Sequence, residues 1–302
     1  MTELWKLPAV PENIPHGDMP GDKICIQEEH IRKAGTIYPR LRQEMERLGA
    51  ARTVVGVCGG SGVGKSEIAS VLAYYLSENG LNTYVLSGDN YPHRIPADND
   101  KERMRVYRQG GLKGLAEYGV LTSEISSQLR TLWQTEADCE PANAQKYEWL
   151  SLYQKAGRQT LFRYLGTPHE INFGELSAIL SQFHQGADHI YLKRMGREEE
   201  SLWYDKVDFT QTRVLIVEWT HGNSDFLDGV DIPILLNSTP AETLAHRRAR
   251  NRDGKTDSAF TTMVLELEQK KLEAQAHKAK IILSKDGTLL RYSDYRTLIA
   301  NE

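Results

Sequence analysis

The chain has 302 residues, of which 40% are hydrophobic and 26% are charged, and its formal net charge is -4. This balance is ordinary for a soluble globular protein and gives no electrostatic case for general binding to nucleic acid or to a membrane surface. The three cysteines match no zinc pattern, and no apolar run is long enough to span a bilayer. We therefore expect reduced thiols and a cytoplasmic protein of one large domain or two small ones.

The first 50 residues predict an arm followed by a helix. Four prolines punctuate residues 1–24, so we expect an extended arm without regular structure there. From Gln27 to Leu48 apolar residues recur at steps of three and four, which is typical of an amphipathic helix that Pro39 could bend. Residues 25–50 are accordingly assigned to an N-terminal helix.

Buried strands and helices then alternate along the chain. The β-branched run from Thr53 to Cys58 predicts a strand, and a glycine-rich loop and a helix from about Lys65 to Asn79 follow it. Further strands are predicted at residues 83–87, 213–218, 232–237 and 281–283, and helices at 241–252 and 260–280. This alternation predicts an α/β fold with a parallel sheet and helices on both faces.

The middle of the chain differs from the rest. Residues 97–165 are rich in Arg, Gln, Tyr and Leu and contain no buried strand run. We expect a mainly helical insertion there, which would form a lid or cap on the substrate side. The α/β core is then divided between residues 51–96 and 166–302.

The loop after the first strand fits the phosphate-loop pattern G-x-x-x-x-G-K-[ST] in full. Glycines allow positive φ and bring backbone N–H groups close to phosphate oxygens, and the following helix directs its positive end at the same anion. A glycine-rich turn without a ligand is the alternative, which the strand–loop–helix context opposes. The fold is thus predicted to be of the P-loop NTPase type, with ATP and Mg²⁺ as cofactors bound by Gly59, Gly60, Ser61, Gly62, Val63, Gly64, Lys65 and Ser66.

Two acidic residues follow predicted strands at the edge where ligands bind in open α/β sheets. Asp89 comes just after the second strand, and Glu218 ends the most apolar strand. A carboxylate at the end of a buried strand is costly unless a cation or a donor satisfies it, as Mg²⁺ or a substrate hydroxyl would. The competing interpretation is a turn-former for Asp89 and a helix or loop cap for Glu218.

Basic residues form three clusters. On a helix, an arginine cluster could clamp phosphates and stabilise charge in a transition state, although by itself it is more typical of a solvated face. Its members are Arg247, Arg248, Arg250 and Arg252. The clusters Lys193–Arg197 and His93–Arg94, each taken alone, are more typical of a surface than of a site.

An ordered set of segments resembles the uridine kinase/phosphoribulokinase group of P-loop kinases, which also includes bacterial pantothenate kinase. The resemblance covers roughly residues 50 to 285. It implies that Asp89 is the general base, that Glu218 lies near the metal and that the arginines close as a lid on ATP. The similar segments are Gly59–Ser66, Ser87–Tyr91, Gly166–Phe173, Gly174–Gly186, Tyr204–Phe209, Val214–Glu218 and Ile232–Asp253.

Three departures from this group bear on the substrate. The gap from Asp89 to Gly166 is 77 positions, which is longer than in uridine kinases. Glu218 is followed by Trp219 where the family has glycine, and Asn90–Arg94 replaces the usual phenylalanine of the base motif. These changes argue against a plain uridine kinase and suit another nucleoside-like, sugar or vitamin-precursor alcohol, an α-ribazole-type nucleoside among them.

We therefore predict an ATP-dependent phosphotransferase that acts on a small-molecule hydroxyl acceptor, not on nucleic acid or a membrane; a homodimer is left open. Its catalytic residues would be Asp89, Lys65, Arg248 and Arg252, and its metal ligands Ser66, Glu218 and Asp89. The acceptor pocket would contain Tyr91, His93, Arg94, Tyr204, Phe209 and His221. The alternatives are a P-loop ATPase or switch protein and an adenylylsulfate-kinase-like enzyme.

Overall fold

A six-stranded sheet forms the centre of the computed structural model, which describes residues 7–22, 24–198, 201–250 and 258–300. With strands numbered in chain order, the spatial order is β2 (Thr83–Ser87), β5 (Val214–Glu218), β1 (Thr53–Gly59), β6 (Ile232–Leu236), β7 (Ile281–Leu283) and β8 (Leu289–Leu290). All neighbours pair in parallel except β7 and β8, which are antiparallel. The predicted parallel sheet is confirmed.

The central strand is β1, whose residues are buried along its whole length. Val55 pairs with Ile216 of β5 on one side and with Ile232 of β6 on the other. The chain passes from β1 to β2 and β5 on one side and then crosses to β6, so the strand order reverses at β1. Ligands of open α/β sheets bind outside the carboxyl ends of the strands at such a switch point, which here is the end of β1.

Helices cover both faces of the sheet, as predicted. On one face α1 (Glu28–Leu48) and α2 (Lys65–Glu78) bury apolar side chains against the strands, and Pro39 lies within α1 without ending it. On the other face α6 (Phe173–His184) packs Leu180 in a cluster with Val217 of β5. These two apolar layers form the core that holds the strand ends in place.

Helices also fill the segment between β2 and α6. They are α3 (Pro96–Glu117), α4 (Ser123–Gln134) and α5 (Glu148–Tyr164). A Cβ on Gly111 would lie 2.5 Å from the Tyr153 ring, and a Cβ on Gly157 would lie 2.8 Å from the Tyr107 ring, so only glycine permits this close approach of α3 and α5. Tyr107 and Tyr153 belong to an apolar cluster that also includes Phe260, so these helices pack against a later part of the chain.

The remaining helices lie in the last third of the chain. They are α7 (Leu244–Arg250), α8 (Ala259–Gln275) and α9 (Tyr292–Ala300). Helix α8 begins where the Ser258 side chain accepts a hydrogen bond from the backbone N–H of Thr261, a regular N-cap. The predicted helix 241–252 is shorter than expected at its start, and residues 251–257 lie outside the described part.

An antiparallel hairpin of β3 (His189–Met195) and β4 (Leu202–Asp208) was not predicted. Neither strand has the continuous apolar run that reveals a buried strand, and β4 is exposed along most of its length. The hairpin nevertheless buries Arg194. Among the described residues, no helix combines the length and the apolar character needed to cross a bilayer.

Candidate active site

The loop between β1 and α2 has the geometry of a phosphate-binding loop. Gly62 and Gly64 have φ of 79° and 89°, a conformation that residues with a Cβ rarely adopt. Helix α2 begins directly after Gly64, so its first unpaired N–H groups are available to an anion. The Nζ atom of Lys65 donates to the Gly60 carbonyl at 3.0 Å, which folds the ammonium group back over the loop.

Glu218 lies at the end of β5 and reaches the start of α2. Its Oε2 accepts a hydrogen bond from Ser66 Oγ at 3.1 Å, and its Oε1 accepts one from Ser87 Oγ at 2.6 Å. Burial, followed by the nearby Asp89 carboxylate, raises the pKa of Glu218 to about 8. A buried carboxyl group beside a serine hydroxyl is a set of hard oxygen donors that suits Mg²⁺, which takes one or two carboxylates together with substrate phosphates.

Asp89 is exposed and lines the same cleft as Ser61 and Gly62 of the phosphate loop. The residue before it must be glycine, because a Cβ on Gly88 would lie 2.1 Å from Cγ of Trp219. The Trp219 ring is buried and its centroid lies 5.4 Å from that of Phe173. The tryptophan therefore fixes the position of the turn that carries Asp89.

Asp18, in the N-terminal arm, is a second support of this turn that sequence analysis missed. Its Oδ1 accepts a hydrogen bond from the backbone N–H of Ser87 at 2.8 Å and another from Asn90 Nδ2 at 3.1 Å. Its Oδ2 accepts one from Tyr84 OH at 2.9 Å. Burial raises the pKa of Asp18 although the Arg194 guanidinium opposes this. The two residues that flank the turn are thus tied to a buried carboxylate of the arm.

Arg194 connects the hairpin to the arm. Its Nη1 donates to Asp18 Oδ2 at 2.8 Å, and its Nε donates to Asp205 Oδ2 at 3.0 Å. The interpretation of this basic cluster as a surface is wrong for Arg194, which is only 6% exposed because these carboxylates satisfy its charge. No local signal in the sequence distinguishes Asp18 or Arg194 from an exposed residue.

A cleft of about 1290 Å³ adjoins the phosphate loop. Ligand pockets usually measure about 300 to 1,000 Å³, so this cleft has room for a nucleotide and a second small molecule. Its wall continues from Asp89 over Trp219, Thr220 and His221 to side chains of α3 and α8. The cleft thus joins the phosphate loop to the helical segment.

A cluster of buried charges lies in this wall. Arg103 of α3 donates from Nε to Glu170 Oε1 at 2.6 Å and from Nη2 to Glu268 Oε1 at 3.1 Å. Burial by itself would raise the pKa of Glu170, but the Arg103 guanidinium outweighs it, so the net shift of this pKa is downward. Burial lowers the pKa of His221 to about 4, which leaves its imidazole neutral at pH 7.

Two of the predicted acceptor residues, Arg94 and His221, line the cleft. Arg94 Nη1 also donates to Tyr164 OH at 3.3 Å. His221 lies against Gly166, where a Cβ would be 2.8 Å from its ring, and its centroid is 5.2 Å from that of Trp219. The structure therefore brings both residues to the same cleft as Asp89.

The other four predicted acceptor residues do not line the cleft, and these placements are corrections. Tyr91 and Phe209 are fully buried in the apolar layer under α6, because their rings pack with core side chains. Tyr204 is exposed on β4, where its OH donates to Glu175 at 2.8 Å. His93 is also exposed, with Nε2 at 3.0 Å from the Pro168 carbonyl oxygen.

Arg247 lies against the phosphate loop. A Cβ on Gly62 would lie 2.8 Å from Cγ of Arg247, and Arg247 Nη1 donates to the Pro240 carbonyl at 2.7 Å. Arg247 lines the cleft, whereas the predicted Arg248 is exposed and does not line it. The predicted Arg252 lies outside the described residues. Which of two neighbouring arginines faces the loop depends on the rotation of the helix about its axis, and the sequence alone does not fix that rotation.

Comparison with known proteins bears on what this cleft does. The sequence model of the adenylylsulphate kinase family matches residues 51–112. A bifunctional alpha-galactosidase/sucrose kinase of Mediterraneibacter gnavus is 38% identical over 259 residues, which are 86% of this chain and 23% of that protein. The chain is similar to P-loop kinases of small molecules. The chain spans about a quarter of the length of this bifunctional relative.

Two further comparisons give shorter or weaker likenesses. The adenylyl-sulfate kinase of Klebsiella pneumoniae is 37% identical over 78 residues, which are 24% of this chain and 39% of that protein. Among solved structures, a possible uridine kinase from Bacillus stearothermophilus has a TM-score of 0.43 and 14% identity, and the match covers 80% of this chain and 98% of that one. The predicted resemblance to P-loop kinases is confirmed by the sequence matches over the phosphate loop and over most of the chain.

Proposed function

We propose that the chain is an ATP-dependent kinase that transfers the γ-phosphate to a hydroxyl group of a sugar. The observation that carries this proposal is that the Asp89 carboxylate lines the same cleft as Ser61 and Gly62 of the phosphate loop. A base beside the site for a triphosphate is what phosphoryl transfer to an alcohol requires. The description of the relative as a sucrose kinase makes sucrose, or a similar disaccharide, the first candidate acceptor.

The transfer step follows from the roles that the residue types permit. The acceptor oxygen forms a bond to the γ-phosphorus, and the bond from that phosphorus to the oxygen bridging to the β-phosphate breaks. The proton of the hydroxyl passes to the Asp89 carboxylate, and the products are ADP and a sugar phosphate. The transition state is loose, so positioning and electrostatic stabilisation supply most of the rate.

The remaining residues would neutralise the triphosphate. Backbone N–H groups of Gly59–Ser66 and the ammonium group of Lys65 would bind the β- and γ-phosphates. Arg247, which packs against Gly62, would add a second cation. Ser66 and Glu218 would hold Mg²⁺, which supplies charge neutralisation at the phosphate oxygens when bound.

The test is a coupled assay of ADP formation with sucrose, glucose, fructose and adenosine as candidate acceptors, combined with detection of the phosphorylated product. We expect turnover that depends on a sugar. Asp89→Asn should lower kcat by about 10²- to 10⁴-fold, the usual contribution of a general base, with little change in nucleotide affinity. Lys65→Ala should nearly abolish turnover while the melting temperature stays close to that of the wild type.

The control variant is Asp228→Asn, which changes an exposed carboxylate that does not line the cleft. It should keep the wild-type kcat. Wild-type activity in Asp89→Asn would contradict the assignment of the base. ATP hydrolysis at the same rate with and without every sugar would instead identify an ATPase.

Adenylylsulfate is a second candidate acceptor, since the adenylylsulphate kinase family model matches the segment that contains both the phosphate loop and Asp89. The same assay separates the two candidates when adenylylsulfate is included among the acceptors. A kcat/KM for adenylylsulfate above that for every sugar would favour this second function.

A further inference from the structure

The cleft extends beyond the residues that the transfer step uses. Past Asp89 its wall consists of Trp219, Thr220 and His221, and it then reaches Asn99 and Arg103 of α3. Neither of these two residues is needed to hold the triphosphate or to remove the acceptor proton. They lie four positions apart on one helix, so their side chains share a face.

Arg103 is held in a fixed orientation by carboxylates. Nε and Nη2 are engaged by Glu170 and Glu268, whereas Nη1 lies 3.8 Å from Asp100 Oδ1, beyond hydrogen-bond distance. A guanidinium group has five N–H donors, so donors of Nη1 remain for a ligand after the hydrogen bonds within the described residues are formed. The side chain is 17% exposed, and the residue lines the cleft.

Asn99 supplies the complementary acceptor. Its Nδ2 donates to Glu170 Oε1 at 3.1 Å, while its Oδ1 is buried and has no hydrogen-bond partner among the described residues. A buried acceptor without a partner is unfavourable, and a hydrogen bond donated by a ligand removes that penalty. The amide orientation is fixed by its contact with the Glu170 carboxylate, because only the NH₂ group can donate there.

We propose that Asn99 and Arg103 form the acceptor subsite, where they recognise a hydroxyl group of a neutral polyhydroxylated compound away from the oxygen that receives the phosphate. A hydroxyl both donates and accepts, so it fits one unpaired acceptor beside one available donor. The two carboxylates that hold Arg103 offset its charge, which favours a neutral sugar over an anion. This inference rests on the proposed kinase function and assigns a role to the helical segment that sets the chain apart from shorter kinases.

The experiment compares Asn99→Ala, Arg103→Lys and the control Lys113→Ala, which changes an exposed residue of the same helix outside the cleft. KM and kcat are measured for ATP, for sucrose and for fructose, each sugar being tested as an acceptor and as a competitive inhibitor. We expect the KM for sucrose to rise about tenfold in Arg103→Lys, since Lys loses the fork geometry, and several-fold in Asn99→Ala. The KM for ATP should change by less than about twofold.

The decisive readout is discrimination between the two sugars, since general structural damage would weaken both equally. The ratio of sucrose to fructose affinity should fall in both variants and stay unchanged in Lys113→Ala. An unchanged sucrose KM, or an equal loss for both sugars, would overturn the subsite. If Arg103→Lys melts well below the wild type, Asn99→Ala decides by the same criteria. Failure of the wild type to phosphorylate any sugar would overturn the proposed function, and this inference with it.

Discussion

Replacement of Gly88 by alanine tests how Asp89, the proposed base, is positioned. The added Cβ would lie 2.1 Å from Cγ, 2.3 Å from Cδ2 and 2.5 Å from Cβ of Trp219. These are ring and backbone-proximal atoms, not the flexible end of a side chain. The ring is buried with its centroid 5.4 Å from that of Phe173 and 5.2 Å from that of His221, so it has little freedom to move aside.

The size of the effect follows from the displacement. An ordinary contact of 3.4 Å requires the turn and the Trp219 ring to separate by about 1.3 Å. Overpacking of this kind costs about 1 to 3 kcal/mol, which corresponds to a fall in melting temperature of roughly 2 to 5 °C for a chain of 302 residues. Because Asp89 follows Gly88, a shift of about 1 Å in the base should lower kcat about 10²-fold.

The assay pairs thermal unfolding with kcat and the KM for ATP. Gly174→Ala is the matched control, since its Cβ would meet nothing closer than Asn172 Oδ1 at 3.9 Å. It should leave kcat unchanged and should not lower the melting temperature, since alanine is favoured over glycine within a helix. In the double variant Gly88→Ala with Trp219→Leu, the two losses should be less than additive, since the smaller residue removes the clash. A Gly88→Ala protein with the melting temperature and kcat of the control would refute the packing of Trp219 under the base.

Two further predictions follow from the buried charges. Asp18→Ala should lower the melting temperature and kcat, because it removes the carboxylate that accepts hydrogen bonds from Arg194 and from the Ser87 N–H. The control Glu12→Ala, in the exposed part of the same arm, should lower both less. Equal behaviour of the two variants in thermal unfolding and initial-rate measurements would contradict this prediction. Burial lowers the pKa of His221 from 6.5 to about 4, so the unfolded chain takes up the proton first and the free energy of unfolding should fall by up to about 3 kcal/mol as the pH drops from 6.5 to 4. Urea unfolding of His221→Gln at pH 7 and pH 4.5 should show a smaller decrease than the wild type, and an identical decrease would exclude His221 as its source.

The parts that the sequence predicts well are fixed by local physical chemistry. Continuous β-branched runs mark β1 and β5, since only a strand covered on both faces tolerates them. The phosphate loop needs glycines where φ is positive and a helix that begins directly after them, so its residues are contiguous. Asp89 and Glu218 were selected because Asp89 comes just after β2 and Glu218 ends β5, and the structure brings Asp89 into the cleft of the loop and Glu218 into contact with Ser66.

The parts that the sequence does not predict depend on contacts between distant segments. Asp18 and Arg194 are 176 positions apart, and each largely buried side chain is one of the partners that satisfy the charge of the other. Tyr91 directly follows the turn that carries Asp89, yet its ring is buried among core side chains that come from distant parts of the chain. Arg103 lies in a polar helix whose periodicity gives no reason to select it from the other arginines.

Because the phosphate loop has local support and the turn that carries Asp89 has distant support, substitutions should affect ATP binding and turnover differently. The phosphate loop is held by its own glycines and by α2, so substitutions around the turn that carries Asp89 should leave the KM for ATP nearly unchanged. The turn that carries Asp89, the proposed base, is held by Asp18 of the arm, Arg194 of the hairpin and Trp219 after β5. Its position therefore depends on contacts between segments that are distant in the sequence. Changes at these three positions should lower kcat, whereas Gly64→Ala, at a residue with φ of 89°, should raise the KM for ATP. A variant of Arg194 that weakened ATP binding as strongly as Gly64→Ala does would show that the supports of the loop and of the turn are not independent.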